Sequence, residues 1–302
     1  MKKTLIIKFG ASGDVVRTTS ILPVLEWEIY WITSIMNKDL LENNPLITRV
    51  FYIEKEETLS PLYDISFDMI LSLEEGQEIL SMMKNMKYQS LVGIYLDENN
   101  IIQYTEPGKA WFDMSLISRY GKEKADILKI QNQESYQHFL FAMLGKEFVD
   151  QEYSLPYEPN QHPKYVVGIE KRAWGRRPTK RRGGYDEVIE HLEKNQISYV
   201  IFQERDTIKE YIDDINDCKV LVCGDTLAMH IGMALKKQVV TIFWPTAPQE
   251  IYGYGRLKKL YNPDSPCFCN YKPACPHEIQ CIDTVSTDEV VQAILDSIKM
   301  AW

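Results

Sequence analysis

The chain has 302 residues, 45% hydrophobic and 25% charged, which is enough apolar material for two cores and more length than most single domains use. Its formal net charge of −9 argues against a general binder of nucleic acid or of an anionic membrane surface. No stretch approaches the roughly 18 consecutive apolar residues of a membrane span, and the start, MKKTLIIKFGASGD, turns polar too early for a signal peptide. The sequence reads as a cytoplasmic protein.

The first predicted strand covers 4–9, where Leu5, Ile6, Ile7 and Phe9 form a buried run. Gly10, Ser12 and Gly13 then make a tight loop whose backbone can approach a ligand closely. Asp14 opens a helix that carries Val15, Val16, Ile21, Leu22 and Leu25. Glycine-rich first turns are common in nucleotide-binding folds, but an acid at the helix start repels a pyrophosphate. Asp14 therefore suits the removal of a proton from a hydroxyl, or else a helix cap.

Further strands are predicted near 29–33, 49–53, 68–72 and 91–95, with helices between them. From Asp97 to Lys129 the pattern weakens and polar residues dominate, as in a loop-rich segment facing a cleft. YSLPYEPNQHPK, residues 153–164, holds three prolines in twelve positions and reads as a linker. It divides the chain into domains 1–158 and 159–302.

A second alternation follows, with strands near 165–170, 198–203, 219–223 and 238–243 and helices near 184–195, 206–215 and 226–235, then a cysteine-rich tail and a final helix. Strands alternating with helices predict an α/β fold, two Rossmann-like domains with parallel sheets facing a cleft. The first strand of this half runs into EKRAWGRRPTKRRGGYDE, a dense basic loop. Such a run is a solvated face, a nucleic-acid patch or, at a strand's carboxyl end, an anion site. Glu204 ends the strand VIFQE, where an acid can accept from ribose hydroxyls or simply start a surface loop.

The densest cluster of chemistry lies in VCGDTLAMHIGMALKKQVVTIFWPT, residues 222–246. An apolar strand reaches Gly224, Asp225 and Thr226 open a helix whose free N–H groups favour an anion, and His230 lies one turn on. The next strand ends at Pro245-Thr246. Individually these residues read as an N-cap and a core histidine; converging at one turn they read as a phosphate or sugar site. Cys267, Cys269, Cys275 and Cys281 supply four soft ligands in fifteen residues, suited to a structural zinc or iron, although the two-residue spacing of a zinc knuckle is missing. His277 is a further candidate or a solvent-facing residue, and Cys218 and Cys223 flank a strand predicted to be buried.

IIKFGASGDVVRTTSILPVL and CGDTLAMHIGMALKKQVVTIFWPTAPQEIYGYGR together resemble glycosyltransferase family 9, the ADP-heptose:lipopolysaccharide heptosyltransferases and their relatives. WITSIMNKDLLENNPLITRVFYI, WFDMSLIS and YQHFLFAMLG are similar to the family's intervening segments. The resemblance implies a GT-B-type, inverting transferase acting in lipopolysaccharide biosynthesis or on another glycan, lipid-linked glycan or protein hydroxyl. Asp14 would be the base, with Gly10, Ser12 and Gly13 near the acceptor. ADP-heptose would be held by Lys180, with Arg177 second, and by Glu204, Asp225, Thr226, Leu227, His230 and Thr246. AWGRRPTKRR departs from the family's pattern in lacking an aromatic after the lysine. No DxD motif stands in either turn, so no cofactor is expected for the chemistry, and the cysteine tail would hold at most a structural metal. Peripheral membrane association would follow from a lipid-linked acceptor; nucleic acid is not an expected partner. Two rivals remain. A dinucleotide-dependent oxidoreductase or epimerase needs an acid after the second strand, which YWITSIMNK lacks. A non-enzymatic metal or nucleic-acid binding module would use only the basic run and the cysteines.

Overall fold

The structure, a computed structural model, describes residues 2–114, 119–172, 184–265, 275, 277 and 281–301. Packing divides the chain into two compact units, one of residues 1–128 and 134–156, the other of 129–133 and 157–302.

The first unit is built on strands β1 (Lys3–Ile7), β2 (Glu28–Thr33), β3 (Arg49–Tyr52), β4 (Ser66–Ser72), β5 (Lys87–Leu96) and β6 (Ile102–Tyr104). Their order is β3-β2-β1-β4-β5-β6, parallel except for β6. The helices are α1 (Ser12–Thr18), α2 (Lys38–Leu41), α3 (Glu56–Leu59), α4 (Gln77–Met83), α5 (Lys109–Asp113), α6 (Lys122–Gln131), which ends in the other unit, and α7 (Tyr136–Met143). In β1, Leu5, Ile6 and Ile7 are fully buried on both faces, as a central parallel strand between two layers requires. Leu5, Ile7, Phe51, Phe67, Ile70, Leu80 and Phe112 share one core. Gly93 in β5 is irreplaceable on geometric grounds: its φ is +113° and a Cβ there would lie 1.9 Å from the carbonyl oxygen of Ser72.

Two expectations for this unit are corrected. The helix opens at Ser12 rather than Asp14 and does not run on to Leu25; α1 stops at Thr18 and a 3₁₀ turn takes residues 19–24. Thr18, Thr19 and Ser20 donate their hydroxyls to the carbonyls of Asp14, Val16 and Arg17, and Pro23 has no N–H to continue the ladder. The stretch after Asp97 is less irregular than its polarity suggests. Asp97 N–H donates to Ile101, and Asn100, at φ 61°, turns the chain back so that β6 adds antiparallel to β5.

The second unit contains β7 (Tyr165–Ile169), α8 (Tyr185–Lys194), β8 (Tyr199–Ile201), α9 (Ile208–Asn216), β9 (Cys218–Gly224), α10 (Leu227–Ala234), β10 (Gln238–Ile242), β11 (Leu257–Leu260) and α11 (Thr287–Met300). The sheet is wholly parallel, in the order β11-β10-β9-β7-β8. β11 lay outside the predicted set: LKKL carries two lysines and only four residues, so its apolar signal is weak. Capping boxes start α9 at Thr207 with Glu210, and α11 at Ser286 with Glu289. α11 lays Val290, Val291 and Ile294 on a core with Val222, Val240 and Ile242. Cys218 and Cys223 are buried in this unit, and burial pushes the Cys218 thiol up to about 12, so neither is a reactive thiolate.

Candidate functional site

In open α/β sheets, ligands bind beyond the carboxyl ends of the strands where the strand order reverses. In the first unit that point lies between β1 and β4. The chain leaves β1 through Lys8, Phe9 and Gly10, and it leaves β4 through Leu73 to Glu74. One oxygen of Glu74, Oε1, accepts from the Lys8 ammonium and from the N–H groups of Phe9 and Gly10, each at 2.8 Å. A Cβ at Gly10 would lie 3.1 Å from Glu74 Oε2, so glycine permits this approach. Trp31 donates its indole N–H to the Lys8 carbonyl at 2.9 Å, and Asn37 donates its amide to Phe9 at 3.0 Å. The loop is thereby tied from both sides.

Beyond that loop, Ala11 takes the N-cap position of α1 at φ 46°, and Ser12 and Gly13 lie in the first turn beside Asp14. Asp14, its side chain 30% exposed, accepts from Arg17 at 2.7 and 2.9 Å. The Arg17 guanidinium stacks 3.9 Å from the Tyr136 ring, and the Tyr136 hydroxyl meets that of Thr18 at 2.8 Å. Burial raises the Tyr136 pKa, keeping the phenol neutral. The result is a part-exposed carboxylate braced by a cation in the first turn of a helix.

In the second unit the order reverses between β7 and β9. β9 ends at Gly224, Asp225 follows, and Thr226 stands at the N-cap of α10 in extended backbone. Thr246, just past β10 and Pro245, donates its hydroxyl to Asp225 Oδ2. The two turns at the ends of neighbouring parallel strands are thus joined, and the N–H groups at the start of α10 open beside them. Leu227 is half-buried in the first turn, and His230 is buried within the helix. Glu204 is exposed beyond β8. Lys180 and Arg177, and with them the rest of 173–183, lie outside the described residues, as do Cys267 and Cys269.

The carboxyl end of β7 holds a group that residue patterns did not single out. Glu170 is 1% exposed and grips Arg172 in a fork, with Nε at 2.9 Å and Nη2 at 2.8 Å, while the Tyr211 hydroxyl from α9 donates at 2.6 Å. The hydrogen bond to Glu170 raises the Arg172 pKa further, against its partial burial. Arg172 is accordingly no loose surface cation.

Of the cysteine cluster, Cys275 and Cys281 are described. Their sulfurs stand 3.4 Å apart, and the Cys281 N–H donates to the Cys275 sulfur at 3.4 Å. His277 is exposed. Among the described residues no group of three or more metal-binding side chains is assembled.

A model of glycosyltransferase family 9 (heptosyltransferase) matches residues 186–278, the span that contains Glu204, Asp225, Thr226, His230 and Thr246. Over that span the chain is similar to glycosyltransferase family 9. The match marks the chain as a glycosyltransferase, and solved structures share its fold over both units. Escherichia coli heptosyltransferase WaaC with ADP-2-deoxy-2-fluoro heptose is 14% identical, covers 97% of this chain and 99% of its own, and has a TM-score of 0.63. The E. coli ADP-heptose lipopolysaccharide heptosyltransferase II is 12% identical, covers 99% of each chain and has a TM-score of 0.66. The iron-containing dodecameric glycosyltransferase TibC of enterotoxigenic E. coli H10407 is 12% identical and covers 99% of this chain and 77% of its own, with a TM-score of 0.59. At these identities the likeness concerns the fold, that of GT-B-type glycosyltransferases. No curated protein matches the sequence. Among the described residues, no helix is long and apolar enough to cross a membrane.

Proposed function

We propose that the protein is an inverting heptosyltransferase that moves a heptose from ADP-heptose to a hydroxyl of a glycan, a lipid-linked glycan or a protein. The observation that carries this reading is the Asp225–Thr246 junction at the start of α10, inside the segment matched by the heptosyltransferase family model. The neighbouring folds include proteins that bind ADP-heptose or its analogue. In the second unit, the α10 N-terminus with Thr226 and Leu227 would receive the diphosphate, Asp225 the sugar hydroxyls and Glu204 the ribose. Lys180 and Arg177 would add cationic charge as the diphosphate leaves. His230, buried, would support the turn from within the helix.

The first unit would present the acceptor at Gly10, Ser12 and Gly13. Asp14 takes the proton of the acceptor hydroxyl as that oxygen bonds to the anomeric carbon; the bond from that carbon to the diphosphate oxygen breaks, and ADP leaves with the electron pair. Attack opposite the leaving group inverts the carbon. We place this chemistry in the cytoplasm, where thiols such as Cys275 and Cys281 persist reduced. A lipid-linked acceptor would bring the enzyme to a membrane surface.

The test is turnover of a panel of ADP- and other nucleotide-sugars, read as nucleoside diphosphate release, beside thermal shifts with ADP, NAD and an oligonucleotide. ADP and ADP-heptose should raise the melting temperature, because a ligand of the native state stabilises it. Stabilisation by NAD alone would sink the proposal.

We assign the cysteines a structural metal, zinc or iron. Two sulfurs 3.4 Å apart are near the ~3.8 Å edge of a tetrahedron with ~2.3 Å metal–sulfur bonds, and the Cys281 N–H is the kind of donor that steadies a thiolate. Cys267 and Cys269 would complete the set, leaving no open position for substrate. Cys275→Ser with Cys281→Ser should lower metal content and melting temperature while activity per folded molecule is kept. Metal-free protein of unchanged stability would return these cysteines to packing.

A further inference from the structure

Lys8 and Glu74 form a buried ion pair that the transfer chemistry described above does not use. Their side chains are 6% and 12% exposed, and burial of two charges is costly unless each is well satisfied. Glu74 is satisfied by three donors on one oxygen, two of them backbone N–H groups of the loop that leads to Asp14. Lys8 feels more than its partner. Burial pushes its pKa down, yet Asp14 first and Glu74 second push it up and prevail, so the ammonium stays charged.

We propose that Lys8 and Glu74 are positioning residues of the transfer site, Glu74 fixing the loop that carries Asp14 and Lys8 setting its positive charge behind that loop. This inference rests on the reading of Asp14 as the base. Among the described residues, the charged and titratable groups near Asp14 include Arg17 on α1, Lys8 at the end of β1 with Glu74 behind it, Tyr136 on α7, and Tyr153. Burial keeps both tyrosines neutral. Arg17 and Lys8 are the cations among these groups, and Glu74 is the anion.

The charges make a signed test that a purely structural role would not reproduce. Turnover is measured against pH with saturating donor. Its acid limb reports the protonation of the base and should be absent or displaced in Asp14→Asn, whose turnover collapses. Lys8→Met removes a cation and leaves Glu74 uncompensated, so the limb should move up by about one pH unit. Glu74→Gln keeps an acceptor for the Phe9 and Gly10 N–H groups and removes an anion, so the limb should move down. Limbs that stay put, or move the same way in both variants, overturn the proposal. Should Lys8→Met fail to fold, the near-isosteric Glu74→Gln decides alone, a stationary or rising limb counting against it. Failure of the underlying reading is distinct: Asp14→Asn would then keep wild-type turnover and its limb.

Discussion

Asp14→Asn is expected to lower sugar transfer by about 10²- to 10⁴-fold, the range typical for loss of a general base, with ADP affinity unchanged. The substitution keeps shape and one acceptor oxygen, so Arg17 retains a partner and α1 its start. What disappears is basicity, at a carboxylate that the structure leaves 30% exposed. Because ADP is assigned to the other unit, its binding should be blind to the change. Initial rates of ADP release and a calorimetric titration with ADP separate the two effects. A variant with wild-type turnover would leave Asp14 as an ion-pair partner of Arg17 and nothing more.

The largest expected effect on stability comes from Arg172→Ala. Arg172 belongs to the basic run EKRAWGRRPTKRRGGYDE. The structure ties it instead to Glu170, a carboxylate 1% exposed at the carboxyl end of β7. Removing one partner of a buried ion pair costs roughly 3–5 kcal/mol. The lower end applies, because the Arg172 side chain is 24% exposed and Tyr211 continues to donate to Glu170. Denaturant unfolding of the two variants checks this. Glu170→Gln with Arg172→Met, which removes both charges together, should recover much of the loss. Equal stability of Arg172→Ala and wild type would show that the fork contributes little.

The residues whose place at a turn was legible from sequence share a property: each sits where chain direction changes. Gly10, Asp14, Asp225 and Thr246 follow apolar runs that end abruptly, and an apolar run with a period is the signal that sequence carries best. Nine of the strands lay close to their predicted positions for that reason. Lys8, Glu74, Glu170 and Tyr211 carry no such mark. A lysine within IIKFG and an acid within SLEEG become meaningful only when β1 and β4 are neighbours, and strand order is a long-range property. Two cues were nonetheless present: Lys8 and Glu170 are charges at the end of runs that are otherwise buried, where an unpaired charge would be untenable. Arg172 carries no mark of its own in a run of cations; only its partner Glu170 sets it apart.

One feature of the chain path limits how the protein can be taken apart. α6 begins in the first unit and ends in the second, and residues 129–133 pack with the second before 134–156 return to the first. Lys129 and Asn132 are buried there, and Gln249 donates its amide to the Lys129 carbonyl at 3.2 Å. A fragment starting at Tyr157 would therefore lose part of its own interior, and one ending at Pro156 would carry a buried segment stripped of its neighbours. No single cut yields two whole halves. Separate expression or domain exchange must move residues 129–133 with the C-terminal part, by circular permutation or by supplying them as a peptide.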